Sequence, residues 1–501
     1  MFGRRRAVGV GRLTLTGRTR SGDGPRAIFW FRRDLRLADN RALLAAVDAG
    51  GGHVAAVFVV DPALAGVAGP VRLAYLRATL QALDDSLDGA LIVRHGDPAV
   101  ELAQLAGECG ATCVVATGDF SPAGRARDER VTRELRAAGV STTFVDSPYV
   151  VRPGTITTRG GTPSKVFTPF RRAWEREALS APLDAPSGVT WLRAPSRGIE
   201  EFSYLRARER PAYFADLDDV VPAFDARVGE VGARATLEEF VTRVAHYGES
   251  RDAPALAGTS RLSAHLRFGT LHPRQVLAAA GATLTGASAG VEVFRSEICW
   301  REFYADVLFH HPDSTWRVLQ PALLGLRVDR DARAVDRFQT WARGETGYPL
   351  VDAGMRQLLH EGWMHNRVRM VTASFLVKHL HLDWRWGAKW FMRRLVDADV
   401  ASNQHGWQWV AGTGTDAAPF HRIFNPTLQA QRFDPAGEYV RRHVPELAAL
   451  GAPQCLLPGG GDGLLAPSGY VAPMIDIATE REEALARWRE ARVNGATAGD
   501  S

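Results

Sequence analysis

The sequence predicts an α/β domain with a doubly wound, parallel five-stranded sheet, followed by an all-α domain. Two observations lead to this fold class. Residues 28–150 alternate short, wholly apolar runs with stretches of helical periodicity, a pattern typical of strands covered by helices on both faces. From about residue 226 to 445 the apolar runs disappear while helical periodicity continues, so the second part of the chain is expected to contain only helices.

Five apolar runs supply the predicted strands: Ile28–Phe31, Val54–Val60, Ala90–Arg94, Cys113–Thr117 and Thr142–Val145. Amphipathic stretches lie between them and are expected to be helices: Arg72–Leu87, Ala99–Glu108 and Ala126–Ala138. The turns after the strands contain neither a GxGxxG nor a P-loop pattern. The sequence therefore gives no indication of a Rossmann dinucleotide site or of a P-loop phosphate site.

Composition divides the chain into four segments. Residues 1–27 are an arginine-rich tail that we expect to be disordered, and residues 28–150 are the α/β domain. A connector rich in Pro, Gly and Thr occupies residues 151–225, and the helical domain occupies residues 226–495, ending in a charged helix at Ile475–Val493.

The net charge does not indicate a uniformly basic protein. The 501 residues carry a formal charge of +5, but the tail holds seven arginines and one acidic residue, so the rest of the chain carries −1. Binding to phosphate would therefore depend on where charge is placed. Residues 361–442 contain eleven Lys/Arg against seven Asp/Glu, interleaved with tryptophans, as expected of a nucleic-acid groove.

Several classes of protein are excluded by sequence features. The four cysteines form no CxxC pair, which argues against a zinc or disulfide scaffold and fits a cytoplasmic protein. No HExxH motif accompanies the histidines, so no metal site is predicted. The longest apolar run, Val54–Val60, is too short for a membrane span, and the arginine-rich start lacks the apolar segment of a secretory signal.

Nine of the thirteen tryptophans lie between Trp300 and Trp409. Tryptophan commonly fills helical cores, and the alternative is a set of stacking and redox-active indoles around an aromatic cofactor. Trp407 and Trp409 are two residues apart, which places them about 200° apart around a helix. One of them is expected to face a buried cofactor and the other a surface cavity.

Two further clusters carry polar groups. Glu297, Trp300, Arg301 and Tyr304 share one helix face. Its simpler interpretation is a solvated face with a Glu297–Arg301 ion pair, but Trp300 in the middle argues against this, because an exposed tryptophan without a ligand is rare. Three hydroxyls and a guanidinium lie at a predicted helix start, in the run Thr259, Ser260, Arg261, Leu262 and Ser263. This helix start is suited to bind a pyrophosphate. An ordinary N-cap is an equally good interpretation.

Asp397 and Asp399 precede Asn403 in a short polar segment. Carboxylates are costly to bury without a partner, and Arg369 on the preceding predicted helix or the edge of a flavin ring would supply one. The alternative is a polar loop in which an aspartate caps the next helix.

Several of these residues lie in motifs that resemble the photolyase/cryptochrome family. The resemblance begins at Trp30–Asn40 (WFRRDLRLADN), continues through Lys165–Pro169 (KVFTP), the Thr259–Ser263 run and Cys299–Tyr304, and covers most of residues 28–470. It is densest in Thr346–Arg369 and Ala401–Asp434, two long and highly specific stretches. The family resembled most is that of class I cyclobutane pyrimidine dimer photolyases.

This resemblance implies an FAD bound in the helical domain. Its phosphate side would be held by Tyr247 and the Thr259–Ser263 run, and its ring system by Arg369, Asp397 and Asp399, with Asn403 beside the flavin N5. Three tryptophans would form an electron relay, ordered from the flavin outward as Trp407, Trp384 and Trp341.

The resemblance also implies a pocket for a flipped DNA lesion. Trp300 and Trp409 would clamp the lesion, and Glu297, Asn366, Arg367 and Met370 would complete the pocket. The residues expected to be catalytic are Trp300, Trp409, Glu297, Asn403 and Met370. DNA contacts are expected from Arg251, Glu297, Trp300, Arg301, Asn366, Arg367, Trp409 and Gln429. Related enzymes for (6-4) photoproducts carry a histidine in place of Asn366, so a cyclobutane dimer is the expected substrate.

The implied activity is light-driven repair of cyclobutane pyrimidine dimers in DNA by electron transfer from excited, reduced FAD. Such a dimer has no leaving group or acidic proton, so acid–base catalysis alone does not split it, whereas one added electron weakens its C–C bonds. The alternative is a cryptochrome-like blue-light receptor without repair activity. The expected protein is a monomer without an obligate protein partner.

A second, antenna chromophore is a further implication. Members that use a folate antenna carry an Asn-Glu pair just before the Arg-Ala-Arg-Asp run of the α/β domain. Here Ala123 and Gly124 precede that run, which begins at Arg125. A deazaflavin antenna, or none, is therefore favoured over folate.

Overall fold

A parallel sheet organises the N-terminal part of the chain. The computed structural model describes residues 24–158, 160–199, 212–214, 221, 227–281, 288–415, 422–461 and 469–497. Within these ranges the sheet has six strands: β1 (Ala27–Phe31), β2 (His53–Val60), β3 (Ile92–His95), β4 (Cys113–Thr117), β5 (Ser141–Val145) and β6 (Thr190–Trp191). Five of them run in the order β3-β2-β1-β4-β5, all parallel, which confirms the doubly wound topology.

The strand bounds agree closely with the sequence. Four predicted strands are correct to within one residue, and the third lies at 92–95 instead of 90–94. The five-strand prediction misses β6, which pairs with the first two residues of β2 from inside the predicted connector. Two residues are too few to show a periodicity of two, so sequence pattern alone does not reveal this strand.

Five helices cover the sheet: α1 (Arg41–Ala49), α2 (Pro62–Ala65), α3 (Pro70–Ser86), α4 (Pro98–Cys109) and α5 (Pro122–Ala137). Three of them begin at an Asp-Pro or Ser-Pro dipeptide. Asp61, Asp97 and Ser121 accept backbone N–H groups as N-caps, and the proline that follows occupies the first turn, where its missing N–H costs nothing.

The connector and the second domain contain the remaining helices. They are α6 (Phe167–Trp174), α7 (Gly229–Val241), α8 (Tyr247–Ser250), α9 (Ser263–Phe268), α10 (Pro273–Ala279), α11 (Ala289–His310), α12 (Ala332–Arg343), α13 (Pro349–Glu361), α14 (Asn366–Ser374), α15 (Trp384–Arg394), α16 (Val400–Ala411), α17 (Pro426–Phe433), α18 (Glu438–His443) and α19 (Ile477–Thr497). A π-helical turn, Phe375–His379, follows α14. The prediction of a second part without strands is confirmed for the described residues.

The connector is fastened to α11 by a buried carboxylate. Glu302 accepts hydrogen bonds from the backbone N–H groups of Val150 and Val151 and from the indole N–H of Trp174, at 2.5, 3.0 and 2.7 Å. Burial raises the pKa of Glu302 above its ordinary value, against the effect of these donors. A segment with little periodicity is thus held in one place by three directed bonds.

The loop that leaves β1 docks on the end of α9. The N–H of Leu35 donates to the carbonyl of Phe268, and the Arg36 guanidinium donates to the carbonyl of Gly269. Gly269 has φ +71°, and a Cβ at this position would lie 1.8 Å from the carbonyl oxygen of Arg33. Only glycine permits both this backbone conformation and this approach.

A second close approach joins the two domains through Gly69, the residue that precedes α3. A Cβ on Gly69 would lie 1.7 Å from the carbonyl oxygen of Arg393, near the end of α15. The backbone of Gly69 itself is extended, with φ −75°, so other residues could adopt its conformation. The constraint on this position is therefore the contact with α15 alone.

The described residues contain neither a membrane-spanning helix nor a metal-binding cluster. None of their helices combines the length and apolar character needed to cross a membrane. No group of three or more His, Cys, Asp or Glu side chains among them is arranged to hold a metal ion.

The contact at Gly69 predicts the effect of one methyl group. Gly69→Ala should lower the thermal unfolding midpoint, because overpacking a rigid contact costs about 1–3 kcal/mol. Gly107→Ala is the matched control, since Gly107 lies in α4 with nothing within 4 Å of the added Cβ. That change should raise the midpoint, because alanine favours a helix interior by about 0.5–1 kcal/mol. Equal effects of the two substitutions would contradict the proposed contact.

Candidate functional site

Helix α16 carries three of the predicted site residues, and its start is fixed by Asp399. One carboxylate oxygen of Asp399 accepts the backbone N–H of Ser402 at 3.1 Å, which caps the helix. The other oxygen accepts from the Arg33 guanidinium at 2.6 Å. Both oxygens are thus occupied by protein donors. Its carboxylate caps the helix, as the capping alternative proposed, and its contact with a flavin stays a prediction.

Asp397, two residues earlier, has a different environment. One of its oxygens accepts from the Arg369 guanidinium at 2.8 Å, the partner that the sequence indicated. The other oxygen, Oδ1, is buried without a hydrogen-bond partner among the described residues. A buried, unpartnered carboxylate oxygen is costly, so this atom is suited to accept a hydrogen bond from a bound molecule.

The amide of Asn403 is held by its own surroundings. Its Nδ2 donates to the carbonyl of Ala388 at 3.1 Å and to the side chain of Gln404 at 2.7 Å. Both amide hydrogens are therefore used, which fixes the orientation of the side chain and leaves Oδ1 as the group for other contacts.

Trp407 and Trp409 lie on opposite sides of α16, as their spacing predicts. Trp407 is 3% exposed and makes edge contacts with Phe391 and Trp341, at ring distances of 5.0 and 6.2 Å. Gly387 on α15 makes room for it, since a Cβ there would lie 2.1 Å from the Trp407 ring. Trp409 is half-buried, with the Arg422 guanidinium 6.0 Å from its ring.

The positions of the relay tryptophans differ from the prediction. Trp341, expected to be the outermost member, is fully buried and in direct contact with Trp407, so this part of the prediction is wrong. Its indole N–H donates to the carbonyl of Thr372 at 3.0 Å. Trp384 is also buried, and the indole nitrogens of Trp384 and Trp407 have no hydrogen-bond partner among the described residues.

An aromatic chain that the sequence did not indicate continues from Trp341. Phe338 lies 5.6 Å from Trp341 and 5.8 Å from Trp386, which in turn stacks on Tyr213 at 4.4 Å with an interplanar angle of 6°. Trp386 and Tyr213 are half-buried. The chain therefore leads from the buried ring of Trp407 to partly exposed rings.

The predicted phosphate site is only partly assembled. Tyr247 is buried between Phe240 and Phe294, and burial raises the pKa of its hydroxyl above the ordinary value. The Ser260 hydroxyl accepts the N–H of Leu262 at 3.4 Å, just before α9. Arg261 differs from expectation, because its guanidinium stacks on Trp363.

The positive charge of Arg261 is already paired within the protein. Its guanidinium lies 3.5 Å from the centre of the Trp363 ring and pairs with Glu361 at 3.2 Å. Arg261 also has a positive φ of 55°, in the left-handed region, just before α9 begins. The hydroxyls of Thr259, Ser260 and Ser263 therefore remain as the groups for a phosphate, without this guanidinium.

Trp300 on α11 is supported from behind by an aromatic ring. Phe167, from the KVFTP motif, stacks on it with a ring distance of 3.7 Å and an interplanar angle of 7°. Trp300 is half-buried, and its neighbour Tyr304 stacks on His405 of α16 at 5.6 Å. Phe167 therefore joins the site, and only its position in a family motif would have indicated it.

The charged residues of this face do not form the ion pair of the simpler interpretation. Glu297 accepts from Arg251 at 2.6 Å. Arg301 donates to the carbonyls of Pro148 and Leu266. Two of its N–H groups are thus used within the protein, and its DNA contact stays a prediction.

The remaining predicted lesion and DNA residues lie at or near the ends of short helices. Asn366 is exposed at the first position of α14, and Gln429 is half-buried on α17. Arg367 pairs with Asp252 at 2.9 Å and donates to the Met370 sulfur at 3.7 Å. No sequence motif indicates Asp252, because its ion pair with Arg367 depends on tertiary packing.

A cavity in the α/β domain lies at the carboxyl ends of β4 and β5 and has a volume of about 750 Å³. Phe120 and Phe144 provide rings, and charged side chains of both signs surround them: Asp119, Arg125, Asp128, Glu129, Arg133, Arg136, Asp146 and Arg152. The carboxyl ends of strands near a change of strand order are the usual place for ligands in open α/β sheets.

Comparison with known families matches both halves of the chain. Residues 27–187 match a family model described as DNA photolyase, and residues 294–490 match one described as the FAD-binding domain of DNA photolyase. The second match contains Trp300, Asp397 and all of α16. The unpartnered oxygen of Asp397 and the hydroxyls before α9 fit an FAD bound there.

Relatives and solved structures extend along almost the whole chain. A deoxyribodipyrimidine photo-lyase of Agrobacterium fabrum is 40% identical over 476 residues, covering 92% of this chain and 97% of that protein. The crystal structure of a bacterial class III photolyase from Agrobacterium tumefaciens has a TM-score of 0.82 at 39% identity, covering 95% of this chain and 100% of that one. An archaeal photolyase structure from Sulfolobus tokodaii with two FAD molecules has a TM-score of 0.78 at 25% identity, covering 93% and 100%.

Proposed function

The chain belongs to the DNA photolyase family, and from this premise we propose that it repairs cyclobutane pyrimidine dimers in DNA in a light-dependent reaction. One observation carries the proposal furthest. Trp407 and Trp409, two residues apart on α16, face a buried interior beside the FAD-binding residues and a partly open surface. A single helix therefore separates the place for an electron donor from a place for a base by about one helix diameter, roughly 10 Å.

The residues proposed to hold the lesion act by stacking and exclusion of water. Trp300, with one ring face covered by Phe167, offers the other face to a base, and Trp409 offers a second ring. Stacking is worth about 1–3 kcal/mol per base, which offsets the cost of removing the dimer from the duplex. When bound, reduced FAD would supply one light-excited electron to the dimer and take it back after the C–C bonds open.

The side chains at the start of α14 support a cyclobutane dimer as the substrate. An asparagine amide carries no titratable proton. The neighbouring His365 caps α14, with its Nδ1 accepting the N–H of Arg367, and burial lowers its pKa to about 4. Its imidazole is therefore neutral at physiological pH. A pocket with these two residues favours a lesion that opens by electron transfer alone, which is a cyclobutane dimer.

A second chromophore is proposed for the cavity beside β4 and β5. Its rings and arginines suit a planar molecule with an anionic tail, and no Asn-Glu pair of the folate-binding kind precedes Arg125. We therefore favour a deazaflavin over a folate.

The proposed repair activity predicts a light-dependent reaction that depends on Trp300. Protein with fully reduced FAD should split thymine dimers in oligonucleotides into thymines under blue light and leave the dimers unchanged in the dark. Trp300→Ala should weaken binding of dimer-containing DNA by roughly ten- to a hundredfold, because one stacking ring is lost, while FAD stays bound. A filter-binding or fluorescence-anisotropy titration measures this change.

Trp488→Ala is the matched control, because Trp488 is a half-buried tryptophan with Arg492 over its ring, but lies on the terminal helix α19. It should leave dimer binding unchanged. Absence of repair under blue light with reduced FAD bound would favour the receptor alternative, and loss of FAD from the Trp300 variant would mean that Trp300 is part of the core.

The position of Trp341 predicts a separate effect on flavin photoreduction. Trp341→Phe should slow the photoreduction of oxidised FAD by at least tenfold, because Trp341 is the indole in contact with Trp407. Repair by enzyme that was reduced chemically beforehand should be unchanged, since repair itself needs no external electron. Absorbance changes during illumination with a thiol reductant measure the rate. Unchanged photoreduction would exclude Trp341 from the relay and leave Trp384 as the next candidate.

The cavity beside β4 and β5 predicts that binding of a second chromophore depends on the arginines that line it. Arg133→Glu together with Arg136→Glu should remove the second chromophore from the purified protein, because an anionic tail would be repelled, while the FAD content stays at wild-type level. Absorption spectra before and after heat release of the chromophores measure both. Retention of the second chromophore by the variant would place it elsewhere.

A further inference from the structure

The short turn between α15 and α16 is held by three arginines, each from a different element. Arg369 of α14 pairs with Asp397, and Arg267 of α9 donates from Nε to the carbonyl of Ala398 at 2.7 Å. Arg33, from the loop after β1, pairs with Asp399 at 2.6 Å. Three consecutive residues thus receive a guanidinium each, and this turn contains the free oxygen of Asp397 and starts the helix of Asn403 and Trp407.

Arg33 is the member of this set that belongs to the α/β domain. Its own backbone is fixed, because the Arg33 carbonyl lies against Gly269 and the next residues bond to Phe268 and Gly269. Its Nε is buried without a hydrogen-bond partner among the described residues. Burial alone would lower the pKa of Arg33, but Tyr149 and Asp399 raise it above its ordinary value, so the guanidinium stays charged.

Asp399 is correspondingly held as an anion. Burial would raise its pKa, but Arg33, Arg267 and Arg301 lower it, with Arg33 the strongest of the three, to below the ordinary range. Tyr149 and Asp119 are the other titratable groups that face this pair. Around the turn, the charges of Arg33, Arg267 and Arg369 exceed those of Asp397 and Asp399 by one unit.

We propose that Arg33 is a positioning residue for the flavin: through Asp399 it fixes the start of α16, and its charge gives the flavin-facing turn its positive excess. The inference rests on FAD binding as proposed above. An arginine of the α/β domain thereby sets where Asn403 and Trp407 lie relative to the ring and how easily the ring accepts electrons.

The proposal predicts opposite effects of removing each partner. Arg33→Gln removes a positive charge near the ring, so the midpoint potential of the bound FAD should shift to more negative values. Asp399→Asn removes a negative charge, so the potential should shift to more positive values. The double variant should return close to the wild-type potential, because the pair is removed as a unit. Spectroelectrochemical titration of the FAD-loaded protein measures all three.

A second readout separates positioning from binding. In Arg33→Gln the yield of repair per absorbed photon should fall at least threefold even at saturating dimer-containing DNA, since Asn403 and Trp407 would lie differently relative to the ring. Arg33→Lys, which keeps the charge, should retain the wild-type potential. If Arg33→Gln fails to fold, the Arg33→Lys and Asp399→Asn potentials decide the question alone.

The matched control is Arg94→Gln, which removes an arginine that pairs with Glu108 inside the α/β domain. It should leave the potential and the flavin spectrum unchanged. Potentials that do not move in Arg33→Gln and Asp399→Asn, or that move in the same direction, would overturn the proposal. Because potentials are measured without DNA, a wild-type protein that binds FAD but repairs nothing would refute the proposed function and leave this inference testable.

Discussion

The placement of helix α16 is the constraint on which the rest of the site depends. Its first turn is capped by Asp399, and its last turn receives the buried Lys378, whose ammonium donates to the carbonyl of Ala411 at 2.8 Å. Burial lowers the pKa of Lys378 to about 7, because removing its ammonium group from water costs free energy. A negative group at the start and a positive group at the end both agree with the helix dipole. Small shifts of this one helix would move Asn403 and both tryptophans together.

Buried polar groups in this protein fall into two kinds that differ in what they indicate. Asp352 accepts from the N–H and hydroxyl of Thr346, the N–H of Gly347 and the hydroxyl of Tyr470, so its carboxylate is fully used in holding loops together. Asp397 has the same residue type and similar burial, yet one of its oxygens has no partner among the described residues. Saturated groups stabilise the fold, whereas the unsaturated oxygen of Asp397 is free to accept a hydrogen bond from a bound molecule. This difference is invisible in the sequence, where both residues are simply aspartates in specific motifs.

Sequence alone predicts the parts of this molecule that depend on local pattern. The strands, the switch to helices and the opposite orientation of Trp407 and Trp409 follow from periodicity, because buried faces repeat along the chain. The partners of Arg261, Glu297 and Arg301 do not follow, since each has several candidates and tertiary packing chooses among them. The resemblance implies that Trp341 is the outermost member of the relay, but tertiary packing buries its ring against Phe391 and Trp407. The order of an aromatic relay therefore does not follow from local pattern.

The pairing of charges also changes what the basic segment at 361–442 implies for DNA binding. Arg367 is already matched with Asp252, and Arg251, outside that segment, is matched with Glu297. A phosphate that takes either guanidinium must displace a carboxylate, so part of the gain in electrostatic free energy is lost in breaking the existing pair. The salt dependence of affinity should consequently be smaller than the number of arginines suggests. In the proposed reaction, recognition of a damaged site would then rest more on aromatic stacking by Trp300 and Trp409 than on total positive charge, which agrees with a chain whose charge beyond residue 27 is slightly negative.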